Sequence, residues 1–476
     1  MTNYRTRNFA GKVGYDWDWG SVFAGVDYYK NDINLPTAES SGITIEMDLP
    51  KWERTTYRAG VEFNNFSDYL MKVSLTGYYQ NMKKDFFNNM LGMMGPGSSI
   101  GLLTENDQNS YGGTIQTEWL LFDDHYVIFG VDYNRDDLEA DSFSRIKPPG
   151  MIPATNRRNY QEGHLETLGV FLQDEWSILD NFRIIGGVRG TWIKSRLNRA
   201  DVSGTATPTN VSTTGSERDS NWVGNIGLVY DVNKELALRA NVAQGYRFPT
   251  LNQLYIGTTH GGANTYGNPD LKPEKSINYE IGARYNDGPW NLDTAIFYAD
   301  AKDYITTRYL YTAGMTTVNE FTNLDKAQTW GFELSVDYTY QPLGLTPYVI
   351  FTYIQRETKD SGFKTKNTDL SPVQGQLGMR WQRDLFESHT FFADLNYTYN
   401  SRSKYSYLEG GVKVTDRNDS WGTVNLSMGF ESNHDDCINY FGTLALRNIF
   451  DESYNYSRSG IQQPGFHAVA MFGISY

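Results

Sequence analysis

Apolar residues recur at every second position along most of the chain, which is the period of a half-buried strand and not of a helix. In the clearest run Trp330, Phe332, Leu334, Val336, Tyr338 and Tyr340 alternate with Glu333, Ser335, Asp337 and Thr339. Leu236, Leu238, Ala240 and Val242 alternate with Ala237, Arg239, Asn241 and Ala243, and Val373, Gly375, Leu377, Met379 and Trp381 with Gln374, Gln376, Arg380 and Gln382. Ala393, Leu395, Tyr397 and Tyr399 oppose Asp394, Asn396 and Thr398. Successive side chains of a strand point to opposite faces, so each run has one apolar and one polar face.

Connections between the runs alternate in length. Tight ones fall near 16–20, 66–67, 122–124, 179–181, 232–234, 287–289, 342–343, 384–387 and 432–436. Long ones rich in Gly, Asn, Ser and Thr fall near 35–51, 84–108, 141–161, 200–218, 249–274, 357–370, 402–418 and 455–465. Short turns on one rim and long loops on the other are the asymmetry of outer-membrane β-barrels, with the short side periplasmic.

Composition enters here. The 476 residues are only 39% hydrophobic yet 15% aromatic, with 45 Gly. Such a length by itself suggests about three ordinary domains. No stretch approaches the roughly 18 apolar residues of a spanning helix, whereas a barrel stays polar on average while aromatic girdles raise Tyr, Phe and Trp. The net charge of -14 argues against a nucleic-acid binder, which needs a basic field. A lone Cys437 forms no intrachain disulfide and reads as an inert thiol. The opening MTNYRTRNFAGKVGYDW has no secretory signal pattern, so the chain is either mature or begins partway through a larger one.

The pattern predicts an all-β fold, a transmembrane antiparallel barrel with about 19 strands. The first strand then runs toward a short turn and the last ends on that same side, so the two could not pair antiparallel. Bacterial single-chain barrels have even strand numbers, and an odd number of N-terminal strands is expected to be missing. Solenoids and propellers need a constant repeat length, which the sequence does not show.

Three segments add a resemblance. The last run, Phe466 to Tyr476, alternates and ends on an aromatic, like the terminal signal of outer-membrane barrels. Leu446-Arg-Asn-Ile-Phe-Asp-Glu-Ser-Tyr454, with Asn448, Phe450, Asp451 and Tyr454, resembles the NLFD-x-x-Y segment of TonB-dependent receptors. Gly245-Tyr-Arg-Phe-Pro-Thr-Leu251, with Tyr246, Arg247 and Pro249, is similar to the family's FRAP segment, departing from it at Phe248. Gly267-Asn-Pro-Asp-Leu-Lys-Pro-Glu274, with Asn268, Pro269, Leu271, Pro273 and Glu274, is similar to its NP-x-L-x-PE segment.

The resemblance implies 22 strands behind an N-terminal plug and a coupling box, so that residues 1–476 correspond to the barrel domain with about three strands and the plug absent. It implies a monomeric importer in the bacterial outer membrane, assembled by the barrel-assembly machinery, in contact with lipid and lipopolysaccharide, and driven by the TonB-ExbB-ExbD complex. It implies no nucleic-acid partner and no covalent chemistry; the cargo would be an iron chelate, chiefly a ferric siderophore, with haem or cobalamin as alternatives. A passive porin or adhesion barrel would keep the strand pattern without the three segments.

The motif residues read as mainly structural. Pro249 ends the ladder, Asn268-Pro269 initiates a turn, and Pro273 biases the chain to extended geometry. Arg247 shares the lumen parity of Arg239, within reach of Glu274 or Glu280. The candidate ligand residues lie on the long-loop side. His260, flanked by Gly261 and Gly262, resembles the iron-ligating histidine of the family's haem receptors, and neutral imidazole suits iron. Met90, Met93 and Met94 offer thioethers suited to soft Cu(I) or to apolar packing. Tyr255 and Tyr266, like Tyr309, Tyr311, Tyr405 and Tyr407, would stack on planar chelators or belong to the interfacial belt. Arg145, Lys147, Arg157 and Arg158 would attract an anionic complex or bridge lipopolysaccharide phosphates. No firm metal site, cofactor motif or catalytic constellation is present in the sequence.

Overall fold

The computed structural model describes residues 3–34, 38–40, 42–204, 215–260, 263–313, 316–360, 363–366, 370–386, 388–409, 412–432, 438–456 and 462–475. Its main element is an antiparallel sheet of 21 strands among these residues. Two of them, Ala38–Ser40 and Phe363–Lys366, are short pieces folded against one longer neighbour. The first ten long strands are β1 (Asn3–Trp17), β2 (Gly20–Asn34), β3 (Ile43–Asn64), β4 (Leu70–Leu91), β5 (Ser99–Leu121), β6 (His125–Lys147), β7 (Thr155–Leu179), β8 (Phe182–Gly204), β9 (Gly215–Asp231) and β10 (Leu236–Arg247). The others are β11 (Glu274–Asn286), β12 (Trp290–Lys302), β13 (Lys326–Tyr338), β14 (Leu345–Asp360), β15 (Val373–Asp384), β16 (His389–Asn400), β17 (Trp421–Ser432), β18 (Asn439–Arg447) and β19 (His467–Ser475). Each pairs with the next in sequence; among the described residues β1 pairs only with β2 and β19 only with β18. Tyr476 lies outside the described residues.

The two faces differ as the alternation requires. Ala240, Ile281 and Ile296 stand opposite one another across β10, β11 and β12, with Ile281 70% and Ile296 63% exposed. Whole rows of bare aliphatic side chains are a liability in water and the normal surface of a barrel in lipid. Rows of opposite parity carry ion pairs. Arg189 grips Asp132 through two parallel bonds of 2.7 and 2.9 Å, and Arg239 grips Asp293 at 2.8 and 3.1 Å while its Nε donates to Glu280 at 3.2 Å. That face is the lumen.

Strand lengths are uneven around the sheet. β3 to β8 run 22 to 25 residues, whereas β15 to β19 run 9 to 12. A 23-residue strand spans about 75 Å at roughly 3.3 Å per residue, and about 50 Å of height once tilted by some 45°, twice the apolar band. Two long connections expected from sequence are therefore short. β4 and β5 extend to Leu91 and from Ser99, leaving a turn closed by the Gly92 N–H donating to the Ser98 carbonyl at 2.9 Å. β6 and β7 likewise run to Lys147 and from Thr155. Above the bilayer the hairpins stay paired even though their outer faces turn polar.

Above the other flank the chain folds into separate small sheets. Asp303, at φ +55°, bends the chain out of β12, and Tyr304–Ala313 pairs antiparallel with Thr316–Leu324. The second of these strands runs parallel to Ala263–Tyr266, which itself pairs with Thr258–His260. Ser403–Glu409 and Val412–Asn418 form another hairpin. The connection at 303–325 has strand-like alternation of its own, and no long loop was expected there.

Candidate functional site

The buried apolar cluster of this molecule lies at the long-loop end of the lumen. Leu197, Leu251, Leu254, Tyr255, Leu271 and Ile305 form it, with Leu138, Leu165, Ala200, Phe248 and Phe321 packed around them. Leu138, Leu165 and Leu197 share the lumen parity of Asp132 and Arg189 on β6, β7 and β8. The connection from β10 to β11 thus folds inward and seats its leucines on the inner wall. Full burial of each such side chain contributes roughly 1.5–3 kcal/mol.

Polar bonds fix its path. Thr250 to Gly257 makes one wide helical turn, with the Leu254 N–H donating to the Thr250 carbonyl at 2.9 Å and the Gly257 N–H to the Asn252 carbonyl at 2.7 Å. Gln253 ties three points together: its Oε1 accepts from the Thr250 N–H at 3.0 Å and from Arg247 at 3.2 Å, and its carbonyl accepts from the Asn268 N–H at 2.8 Å. Gln161 on β7 donates to the Tyr255 carbonyl at 3.3 Å. Gly267 lies so close to Tyr255 that a Cβ there would sit 2.7 Å from its carbonyl carbon.

The motif residues are the fastenings of this arrangement. Asn268 Oδ1 accepts from the Asp270 N–H at 2.9 Å and its Nδ2 donates to the Phe321 carbonyl at 2.9 Å. Leu271 is in the cluster, and Pro249 is among the most deeply buried side chains. Glu274 Oε1 accepts from Arg247 at 2.7 Å and from the Ile305 N–H at 2.8 Å, joining β10, β11 and the hairpin above β12. Tyr246 donates to Asp219 at 3.0 Å. Asn323 donates to the Lys272 carbonyl and accepts from its N–H, both at 2.9 Å. Neither Asn323, Gln253 nor Gln161 was singled out from sequence; the available signal was the spacing of Leu251, Leu254 and Leu271, apolar residues without alternation in a polar loop.

The segment before β19 is built in the same way. Asn448, at φ +50°, donates to the Glu452 carbonyl at 2.8 Å and accepts from the Glu452 N–H at 2.9 Å, while its own N–H donates to Asn425 at 3.0 Å. Asp451, at φ +58°, accepts from the Phe466 N–H at 2.8 Å. Tyr454 stacks on Trp421 at 4.1 Å, and this burial raises its phenol above the ordinary tyrosine range. Phe450 is exposed.

The candidate ligand residues are scattered. Tyr255 is 2% exposed, so its ring belongs to the cluster and offers no stacking face to a ligand while the connection is seated. Its hydroxyl points toward Ser195 without meeting a partner in hydrogen-bond geometry, and burial raises its pKa. Tyr266 is half-buried, and its hydroxyl raises the neighbouring Tyr311 phenol above the ordinary tyrosine range. Arg247 is committed to Glu274 and Gln253. Met90 lies within β4, Met90 and Met93 are buried, and Met94 is the exposed one, so the three do not form an open thioether face. The backbone of His260 ends a short strand opposite Ala263; its side chain, like Gly261, Gly262 and the side chains of Tyr405 and Tyr407, lies outside the described residues. Among the described residues no group of three His, Cys, Asp or Glu is placed to hold a metal ion.

An antiparallel sheet with a lipid-type outer face, an ion-paired lumen and a mouth partly occupied by its own connection defines a large β-barrel of the bacterial outer membrane. The chain belongs to the TonB dependent receptor-like β-barrel family, which it matches over residues 2–449, a family of receptors and transporters and not of enzymes. It is 26% identical over 361 residues to the iron-regulated outer membrane virulence protein of Vibrio cholerae, covering 72% of this chain and 48% of that protein. To the hemin receptor of Yersinia enterocolitica it is 24% identical over 406 residues, covering 78% and 52%. Among solved structures it resembles the copper transporter OprC with TM-score 0.75 and 16% identity, covering 99% and 71% of the two chains. The ferric yersiniabactin uptake receptor FyuA of Yersinia pestis gives TM-score 0.68 and 19% identity, covering 98% and 69%. The chain spans about half the length of the curated relatives it matches.

Proposed function

We propose that this chain is the barrel of an outer-membrane receptor that imports an iron complex, a ferric siderophore first among them. Ligand captured at the mouth would pass through the lumen when TonB-ExbB-ExbD moves a plug carried by the rest of the protein. The observation that carries this reading is the inward-folded connection between Arg247 and Glu274, which occupies part of the mouth of an ion-paired lumen and gives it a fixed structure. The names of the relatives, an iron-regulated outer-membrane protein and a hemin receptor, support iron as cargo. Uptake of labelled ferric siderophore by iron-starved cells carrying the full-length gene tests it: uptake should stop when the proton-motive force is collapsed, and uptake that persists would overturn the reading.

Haem is the second reading, favoured by the hemin receptor relative and by the place of His260 between the two central motif segments. Titration of purified full-length receptor with haemin should then give a Soret shift that His260→Ala abolishes. A shift that survives this substitution removes His260 as ligand.

A further inference from the structure

On the inner wall, away from the strands on which the connection is seated, β1 to β5 bring two uncommitted cations to a built recess. Register runs unbroken from Asp132 on β6 through Thr114, Thr76 and Gly60 to Phe23 on β2, so these residues share the lumen face. The next row up contains Lys12, Arg58, Tyr78, Gly112 and Asn134, and the one above it Asp27, Thr56 and Gln80. Tyr57 and Tyr79, beside Arg58 and Tyr78 in the chain, point outward, stack at 6.5 Å and are exposed. Exposed Tyr at one level of a barrel marks the boundary between hydrocarbon and headgroups, so the recess lies inside the barrel at that height, beneath the mouth.

Two glycines make room for it. A Cβ at Gly60 would lie 2.6 Å from the Phe23 ring, and one at Gly112 2.9 Å from the Tyr78 ring, so each ring packs against the backbone of the neighbouring strand. With Thr56, Thr76 and Thr114 these rings line a recess of about 380 Å³. Tyr78 is held by its hydroxyl donating to Asn134 at 3.0 Å, and Thr56 by donating to Gln80 at 3.1 Å. The charged groups of the lining are Arg54 and Arg58, with no carboxylate among them. Arg54 is paired with Asp27 at 3.0 Å, whereas Arg58 is exposed and makes no ion pair among the described residues. Lys12 holds its Nζ 4.8 Å over the Phe23 ring and is likewise exposed and without an ion pair among the described residues. Asp132, in the row below, is already gripped by Arg189. The recess therefore carries a net positive charge of its own.

We infer that this recess is a transit site for a free carboxylate carried by the cargo, with Arg58 as its principal contact, Lys12 as the second cation and the threonine hydroxyls as further donors. The inference rests on the reading of the chain as the barrel of an iron-complex importer, and it narrows that cargo to chelates that keep a carboxylate arm off the metal. A guanidinium presents paired N–H donors that match the two oxygens of a carboxylate, and such a group has lone pairs left for hydroxyl donors. Clefts lined by one sign of charge concentrate ions of the other. The oxygens of a hydroxamate or catecholate are spent on the iron and leave no such handle. Phe23 and Tyr78 give the arm that bears the carboxylate two ring surfaces to lie against.

The test treats purified full-length receptor with phenylglyoxal, which modifies uncommitted guanidinium groups, and reads the modification residue by residue by mass spectrometry. Tricarballylate is the carboxylate probe and its trimethyl ester the control. Arg58 should react at least about tenfold faster than Arg239, which is tied to Glu280 and Asp293. Tricarballylate should slow the reaction of Arg58 and leave that of Arg145, on the outer face, unchanged; the ester should slow neither. Lys12→Gln with Thr76→Val should lose most of the protection while Arg58 stays reactive. An Arg58 as slow as Arg239 would mean that a carboxylate of the remaining protein already fills the recess, and it overturns the inference. So do equal slowing of Arg145, protection by the ester, or protection undiminished in the double variant. Proton-motive-force-dependent iron uptake is measured separately: its absence removes the importer reading, whereas lost protection with uptake intact removes the carboxylate site alone.

Discussion

Truncating Leu254 should release the connection from the lumen wall without opening the barrel. Its side chain is 1% exposed at the centre of the apolar cluster, held between the wall residue Leu197 and the connection's own Leu251 and Leu271. Leu→Ala at such sites costs about 2–5 kcal/mol, the upper end where the surroundings cannot collapse into the space. The wall here is a rigid ladder, so about 3 kcal/mol is reasonable, which corresponds to roughly a hundredfold shift in a local opening equilibrium. Native-state hydrogen exchange reads this directly, since amides protected by local structure exchange through its opening. The reporters are the N–H groups of Leu254, Gly257 and Asn268, bonded to the carbonyls of Thr250, Asn252 and Gln253. In Leu254→Ala these should exchange about a hundredfold faster, while the β11 amides of Tyr279 and Ile281 keep their wild-type rates. Unchanged exchange at the three reporters would refute the view that the cluster seats the connection; equal acceleration in β11 would refute its independence of the barrel.

Tyr255→Phe should be neutral or stabilising by up to about 1 kcal/mol, because the buried hydroxyl it removes has no bonded partner; a loss above about 2 kcal/mol in the same exchange assay would show a bond the geometry does not contain. Since burial raises the Tyr255 pKa, its contribution is complete below about pH 10, the unfolded value, and is lost as pH rises through the higher folded value. Phenolate absorbance should therefore show one late-titrating tyrosine fewer in Tyr255→Phe than in wild type. Asn448→Ala gives up the bonds to Glu452 and leaves a β-carbon at φ +50°, costing about 2–4 kcal/mol at the last hairpin, whereas Asn448→Gly restores the backbone freedom and should cost about 1 kcal/mol less; urea unfolding in detergent compares them. Arg247→Gln should accelerate exchange of the Ile305 amide by less than tenfold, because Glu274 still accepts from it.

The wall of the barrel was legible because lipid and lumen impose opposite chemistry on alternate residues: Leu238 and Val242 against Arg239 and Asn241 could only face apart. The same parity placed Arg247 on the lumen side within reach of Glu274 or Glu280, and it pairs with Glu274 while Glu280 pairs with Arg239. Strand ends were not legible, because β4 to β7 keep pairing after their outer faces leave the lipid, and residues such as Asn88 and Glu105 read as loop although they continue a ladder. The hairpin at 304–324 alternates like a strand of the wall, and only the bend at Asp303 sends it elsewhere. Tyr255 looked like a ligand residue because a tyrosine among glycines and threonines suggests a surface; the cue that the segment turns inward lies in Leu251, Leu254 and Leu271, which do not alternate and so follow no strand rule.

The bend at Asp303 also bears on how such a mouth can diversify. Tyr304 pairs with Leu324 directly above the level where Ala301 pairs with Ala327, so the hairpin enters and leaves the wall at neighbouring points. Residues 304–324 therefore form an exchangeable cassette: another sequence with the same two end points can replace it while every register below is kept, a site of the kind where insertions and swaps are tolerated. The contacts that must be matched are Ile305 and Phe321 against the cluster, the Ile305 N–H against Glu274, the Phe321 carbonyl and Asn323 against Asn268 and Lys272, and the parallel pairing with Ala263–Tyr266. Recombination at this point would alter what the mouth presents to the outside while leaving the membrane-embedded part of the molecule, and its assembly, untouched.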